Sequence, residues 1–331
     1  MPEILLARYA LAIFWLARYV ERAENLARIL DTNATFARDR QGAQHWHSLL
    51  ELHSDQERFA ATHTSPTAAA VLRFYVTDDS NPTSIVSAIG MARENARILR
   101  PLISNEMWAH LNVFNKWLQT LDDQALAPGD LTRLFNRIKE SCQTHTGITD
   151  GTLHRDQVSY FYRLGRYIER ADATTRLLDI KYHTLLPHVA DVGTPIDIGQ
   201  WDAVLRSAAG HYAYLRAVST GVTPSGVAAF LLLHPRFPRS VAFSVAEADR
   251  LLAVLRTRHE LAGGAAAAAS LGGLRNELAM LDIQQIIARG LHEFLDHVQK
   301  RLIAATDDLG EAFFDTGTGV GSRVTLDQRQ A

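Results

Sequence analysis

Arg18, Glu21, Arg22 and Asn25 stand at i, i+3, i+4 and i+7, and Arg166, Glu169, Arg170 and Ala173 repeat that spacing farther along the chain. In a helix those intervals put each set on one stripe, with the carboxylate beside two guanidiniums. Guanidinium forks match carboxylate and phosphate oxygens in bidentate geometry, so two such stripes facing a shared cleft would grip a carboxylate or an acyl phosphate. Glu21 or Glu169 would then fix the guanidiniums or accept a proton from an amine. The same residues also read as a buried Arg/Glu network joining helices, where losing one partner costs roughly 3–5 kcal/mol because the other charge is stranded. An exposed pair at these spacings contributes only about 0.3–0.5 kcal/mol. Phe14 and Ile29, or Tyr162 and Leu177, share the charged side, so the stripes are expected to be covered by other helices.

A second cluster, Arg93, Glu94, Asn95 and Arg97, follows Asn81-Pro82-Thr83-Ser84. Asn81 as N-cap with Pro82 at the first helical position is the simplest account of that turn. The N–H groups of such a helix start could also hold an anion. Arg93 and Arg97 at i, i+4 repel mildly unless an acid or ligand oxygens separate them, which makes both candidate anion-binding residues. His292 with Asp296 and Glu293 with His297 share i, i+4 spacing, but a di-metal bundle wants Glu-x-x-His pairs on separate helices, and no metal is assigned. His45-Trp46-His47 fits surface and packing roles, and Cys142 with His145 lacks an orienting acid for nucleophilic catalysis. No Walker-type phosphate loop, no dinucleotide fingerprint after a strand and no His-Glu-x-x-His occurs, so the chain is expected to bind no cofactor by itself.

The elements that must position these groups read as helices nearly throughout, with no alternating apolar and polar run bounded by turn signals. Leu16, Tyr19, Ala23, Leu26 and Leu30 form a core face, matched by Leu164, Tyr167, Ala171 and Leu178. Turn chemistry, as at Thr64-Ser65-Pro66, Ala127-Pro128-Gly129-Asp130, Val192-Gly193-Thr194-Pro195 and His234-Pro235, divides the chain into about ten to twelve helices. Gly263 to Ser270, rich in Gly and Ala without bulky apolar groups, reads as a weakly packed connection. Laying Phe14–Asp31 on Tyr162–Asp179, an offset of 148, gives nine identities in eighteen positions, Tyr19 and Tyr167 among them. Asn81-Pro82-Thr83-Ser84-Ile85 has a weaker echo in His234-Pro235 and Arg239-Ser240-Val241, Ser84 and Ser240 differing by 156. The expected fold is therefore all-α, a duplicated helical bundle with pseudo-two-fold related halves. Residues 1–148 and 149–315 would form one compact unit, and 316–331 a frayed tail.

Composition narrows the function classes. The chain has 331 residues, 47% hydrophobic and 21% charged, which does not fit disordered or low-complexity proteins. A net charge of −2 gives no footing for nucleic acid or an anionic membrane. The most apolar runs, such as Val227–Leu233, stop at about seven residues where a membrane span needs about twenty. Cys142 is the one cysteine and cannot form an internal disulfide, and Met1–Ile4 lacks the features of a signal peptide, so the cytoplasm is the expected location. Of the 34 basic residues only four are Lys, which reads as a coding bias or as a use of guanidiniums for fixed bidentate contacts.

Leu6-Ala7-Arg8, followed by Phe14-Trp15-Leu16-Ala17-Arg18-Tyr19-Val20-Glu21-Arg22-Ala23-Glu24-Asn25, and Leu164-Gly165-Arg166-Tyr167-Ile168-Glu169-Arg170-Ala171-Asp172, resembles the bacterial alpha-E domain family, a helical family with a Glu-Arg motif. Asn81-Pro82-Thr83-Ser84-Ile85, Ala92 to Arg97, Glu106-Met107-Trp108, Phe237-Pro238-Arg239-Ser240 and Leu271-Gly272-Gly273-Leu274 extend the likeness through most of the chain. His234 stands where the pattern expects Asn before Pro. The resemblance implies association with circularly permuted ATP-grasp ligase-like proteins, with transglutaminase-like peptidases and with a proteasome-like peptidase. It implies formation or modification of peptide or amide bonds on a peptide or amino-acid substrate. ATP and Mg would sit on the partner, and this chain would lack independent activity. A self-sufficient enzyme of peptide or amide metabolism and a structural scaffold are the alternatives.

Overall fold

The computed structural model describes residues 5–39, 42–185 and 195–314, the side chains of 36–39, 42–45, 180–185 and 195–197 excepted. The segment around Gly193 and the tail from Thr316 lie outside the described residues. Among the described residues there are fifteen α-helices, a closing π-helical turn (Gly310–Phe314) and no strand. The first half holds α1 (Ala7–Asp39), α2 (Gly42–Leu52), α3 (Gln56–Ala60), α4 (Ala68–Val76), α5 (Ile85–Ile98), α6 (Asn105–Leu118) and α7 (Leu131–Thr152). Then come α8 (Gln157–Leu185), α9 (Pro195–Ser207), α10 (His211–Ala217), α11 (Pro224–Leu233) and α12 (Val241–Thr257). The chain closes with α13 (Ala265–Met280), α14 (Ile283–Arg289) and α15 (Leu291–Leu309). The count exceeds the expected ten to twelve because α3, α10 and α14 are only five to seven residues long, too short for periodicity to resolve.

α1 is the central element. From Ala10 to Leu30 every residue is buried except Arg18 and Arg22, which are half-buried. Its apolar face and its charged stripe are both covered, α1 being surrounded by α2, α5, α7, α8 and α9. α8 crosses it so closely that a Cβ added at Gly165 would come within 2.4 Å of the Phe14 carbonyl oxygen. Ala17 of the first copy is replaced by Gly165 in the second, and that missing methyl sets the approach of the two helices. α8 also packs on α12 and α15, which completes the cover over the charged stripes.

Two local expectations are corrected. Asn81 is not the N-cap of the helix after Pro82: Ser84 caps α5, its Oγ accepting from Ser87 N at 3.2 Å. The Asn81 amide instead donates to the Phe74 carbonyl at 2.8 Å, and its Oδ1 accepts from Thr83 N at 3.1 Å, so the turn is braced by an Asx contact one step before the helix. Ser240 does the same work for α12, accepting from Phe243 N at 3.1 Å and donating to the His234 carbonyl at 2.6 Å. The second correction is the Gly/Ala-rich segment, which forms the start of α13 with Ala267, Leu271, Leu274 and Leu278 buried. Alanine has the highest intrinsic helix propensity. Gly264 starts the helix at φ +65°, and small residues let α13 close on α15, with Gly273 against the Arg301 guanidinium.

Candidate functional site

The stripes of α1 and α8 face each other and exchange partners. Arg170 of α8 donates to Glu21 of α1 through Nε at 2.8 Å and Nη2 at 2.7 Å. Reciprocally, Arg22 of α1 donates through Nε to Glu169 of α8 at 2.7 Å, and Arg18 adds a bond of 2.7 Å to the same carboxylate. Each Glu is thus paired with Arg of the other copy, not with the Arg residues of its own helix, while Asn25 one turn on adds a bond of 3.2 Å to Glu21. The spacing i, i+3, i+4 sets each stripe; the helix crossing decides who pairs with whom.

These pairs are buried, Glu21 being 2% and Glu169 4% exposed. Burial pushes both carboxyls up, but the facing guanidiniums outweigh it: Arg170 and Arg239 hold Glu21 far below the usual carboxylate range, and Arg22 with Arg18 hold Glu169 at about 2. Desolvation likewise opposes charge on Arg22 and Arg170, and their glutamates raise both above the ordinary guanidinium value. All four groups are therefore charged at neutral pH. The aromatic positions of the motif shape the same zone: Tyr19 is fully buried, which raises its hydroxyl to about 12, and Tyr167 lies under Arg166 and Arg170.

Arg239, in the turn before α12, is the participant that sequence reasoning missed. Its Nη1 donates to Glu21 at 3.1 Å and to Asn25 Oδ1 at 3.0 Å, and its Nη2 donates to Glu24. Burial lowers its guanidinium to about 10, still protonated at neutral pH. Glu24 also binds Arg28 of its own helix at 2.7 Å. A signal existed: Phe237-Pro238-Arg239-Ser240 aligns with Asn81-Pro82-Thr83-Ser84 at the offset of 156, and both turns carry the same backbone bond, Ser84 N to Asn81 O at 3.0 Å and Ser240 N to Phe237 O at 2.9 Å. His234-Pro235 is not the counterpart of Asn81-Pro82; His234 is the C-cap of α11.

Beside the Glu169 end of the network lies a cleft of 350 Å³ between α1, α8 and α15. Its charged lining comprises Arg18, Arg22 and Arg176 against Glu169, Asp172 and Asp307, a balance of three positive and three negative groups. Trp15, Leu26, Ile29 and Ile168 supply apolar wall, and Asn25, His53, Thr83 and Thr306 polar edges. Three buried polar atoms of these residues have no hydrogen-bond partner in the chain: Arg22 Nη1, Asp172 Oδ1 and His53 Nε2. Such atoms cost about 1–3 kcal/mol each when left unmatched, and native folds keep few of them. His53 is held neutral, burial and the nearby Arg176 and Arg22 lowering it to about 3.

The other candidates lie elsewhere. Glu21, Arg166 and Arg170 do not line the cleft; Arg166 reaches Asp150 at 3.5 Å and packs over Tyr162 and Tyr167. Arg93 and Arg97 both donate to Glu94, at 2.6 and 2.8 Å, on the more open face of α5, where Arg93 also binds Asn112. Cys142 and His145 are fully buried; burial drives the thiol well up and the imidazole down to about 3. His292 binds Asp179 at 2.8 Å, His297 binds Glu277 at 3.2 Å and Lys300 takes Asp296, so these pairs do not converge on a shared point. Among the described residues no group of three potential metal ligands occurs. Trp46 is buried and His47 exposed beside Glu51; the His45 side chain lies outside those described. No described helix is long and apolar enough to cross a membrane.

An all-helical bundle whose central helices are locked by reciprocal Glu-Arg pairs defines the class of protein. Residues 5–314 match the model of the Alpha-E family, described as a predicted alpha-helical domain with a conserved ER motif, and the chain belongs to that family. No curated protein and no solved structure matches the chain.

Proposed function

We propose that this Alpha-E chain is an accessory subunit of an ATP-grasp-type ligase, holding a carboxylate-bearing substrate during formation or modification of a peptide or amide bond. The observation that carries this reading is the cleft beside Glu169, where Arg18 and Arg22, the latter with a buried unmatched Nη1, meet an apolar wall. Amide formation from a carboxylate requires an activated acyl group, and the sequence has no familiar phosphate loop to hold ATP for that step. ATP and Mg belong on the partner in this reading. The chain contributes orientation: guanidiniums fixed by Glu169 hold the carboxylate or its acyl phosphate without having to reorganise. A transglutaminase-like peptidase, acting on the same kind of bond, is a second partner in this reading, and the cytoplasm is the compartment.

The architecture in this reading is a duplication, with units 1–148 and 149–315 related by an approximate two-fold axis. It is supported by nine identities in eighteen residues and by the exchange of Glu-Arg partners between α1 and α8. A scaffold without a ligand is the alternative that the paired charges also suit, since a buried network needs no substrate to be retained.

The test is reconstitution with an ATP-grasp-type ligase. The chain alone is expected to show neither ATP hydrolysis nor amide formation, to co-purify with the ligase and to raise its ADP release and amide yield on amino-acid substrates. Arg18→Ala should fold and bind the ligase yet support less product. ATP hydrolysis by the purified chain alone, or no complex and no gain, would overturn the proposal.

A further inference from the structure

Among the differences between the two copies of the Glu-Arg helix, one falls at the cleft. In the first copy Glu24 is paired with Arg28 one turn on and with Arg239 from the turn before α12. At the offset of 148 the corresponding pair is Asp172 with Arg176, joined at 2.8 Å. The second cation has no counterpart there, because the turn before α5 carries Thr83 at the position of Arg239. Asp172 Oδ1 is left without a hydrogen-bond partner, and Thr83 and Ala173 line the cleft where Arg239 and Asn25 meet in the other copy. The carboxylate that binds a second guanidinium in one half thus keeps an unmatched oxygen in the other.

Arg22, which lines the same cleft, keeps its Nη1 donor unmatched. The lining charges cancel, three against three, which disfavours a ligand that is only an anion and suits one that carries both signs. A volume of 350 Å³ is near the lower end of the about 300–1,000 Å³ typical of ligand pockets, a fit for one small molecule. Resting on the reading of this cleft as the substrate site, we infer that its ligand is a zwitterionic α-amino acid with an apolar side chain. The carboxylate takes Arg22, the ammonium takes Asp172 in the place Arg239 fills opposite, and the side chain lies along Trp15 and Ile168. His53, in the lining of the same cleft, offers its unmatched Nε2 as a further polar contact.

Titration calorimetry of the full chain with L-leucine, isocaproate and isoamylamine separates the parts of this inference. Leucine is expected to bind about tenfold to a hundredfold more tightly than either analogue, the loss that follows removal of a charged hydrogen-bond partner. Asp172→Asn should bring leucine down to the affinity of isocaproate without weakening isocaproate. Because Asp172 also carries Arg176, Thr83→Arg provides a second arm: an arginine introduced from that turn should occupy Asp172 and block leucine. Equal binding of leucine and isocaproate, unaffected by both substitutions, would overturn the amino-acid inference and leave a carboxylate site standing. Isoamylamine binding as tightly as leucine, or no binding of any carboxylate, would overturn both.

Discussion

Replacing Glu21 by Gln removes the charge that neutralises two buried guanidiniums. Arg170 makes two bonds to that carboxylate, at 2.8 and 2.7 Å, and Arg239 a third at 3.1 Å, in a position only 2% exposed. Stranding a buried partner costs roughly 3–5 kcal/mol, and arginine cannot relieve the cost by releasing its proton. Urea unfolding followed by far-UV circular dichroism should show a loss of that size. The sharper readout is a double-mutant cycle, since only residues in contact couple by about 0.5–3 kcal/mol. Glu21→Gln with Arg170→Met, which lie on different helices, should couple at the upper end of that range. Glu21→Gln with Arg18→Met, three residues apart on α1, should be additive, because Arg18 spends its Nε on Glu169 at 2.7 Å. Strong coupling within α1 and none across the helices would refute the exchange of partners.

Gly165→Ala should destabilise the fold by about 1–3 kcal/mol, the usual cost of overpacking, because its methyl would meet the Phe14 carbonyl rather than a yielding side chain; an unchanged urea midpoint would contradict the close crossing. Stability should fall as pH drops below about 6.5, the ordinary histidine value. His53 and His145 are lowered to about 3 in the folded chain, so unfolding takes up protons between those limits and their contribution, complete above the upper one, is lost through the window. Glu169, held at about 2, and Glu21, held lower, contribute stability that is present above the usual carboxylate value and disappears as pH falls further. Urea midpoints that stay flat from neutrality down to the carboxylate range would contradict the buried neutral imidazoles. Cys142 should resist a water-soluble thiol reagent in the native state and react once urea unfolds the chain; rapid native labelling would contradict its burial.

The helical class and the covered Glu-Arg stripes were readable from periodicity, because a 3.6-residue repeat puts Arg18, Glu21 and Arg22 together whatever surrounds them. Pairing was not readable, since Arg22 and Glu169 are 147 residues apart and only the crossing angle brings them into register. The tightness of that crossing was hidden in a single difference, Ala17 against Gly165. Asp172, Arg176, His53 and Thr83 were not singled out as site residues because each is an ordinary polar residue in its own helix or turn. Their cue lay in the repeat: Asp172-Arg176 falls on Glu24-Arg28, and Thr83 falls on Arg239. The Ala-rich start of α13 misled by its lack of bulk, where propensity and close packing on α15 decided the outcome.

The central claim is that the cleft between α1, α8 and α15 is where this chain contributes to its partner's chemistry. Ala173 lines that cleft without carrying any charge of the network, so Ala173→Trp fills the space and leaves the Glu-Arg pairs intact. Amide product formed by the ATP-grasp-type ligase in the presence of this variant is the measurement. The account predicts a folded protein that still binds the ligase and yields little product. Full product from the filled cleft would contradict it.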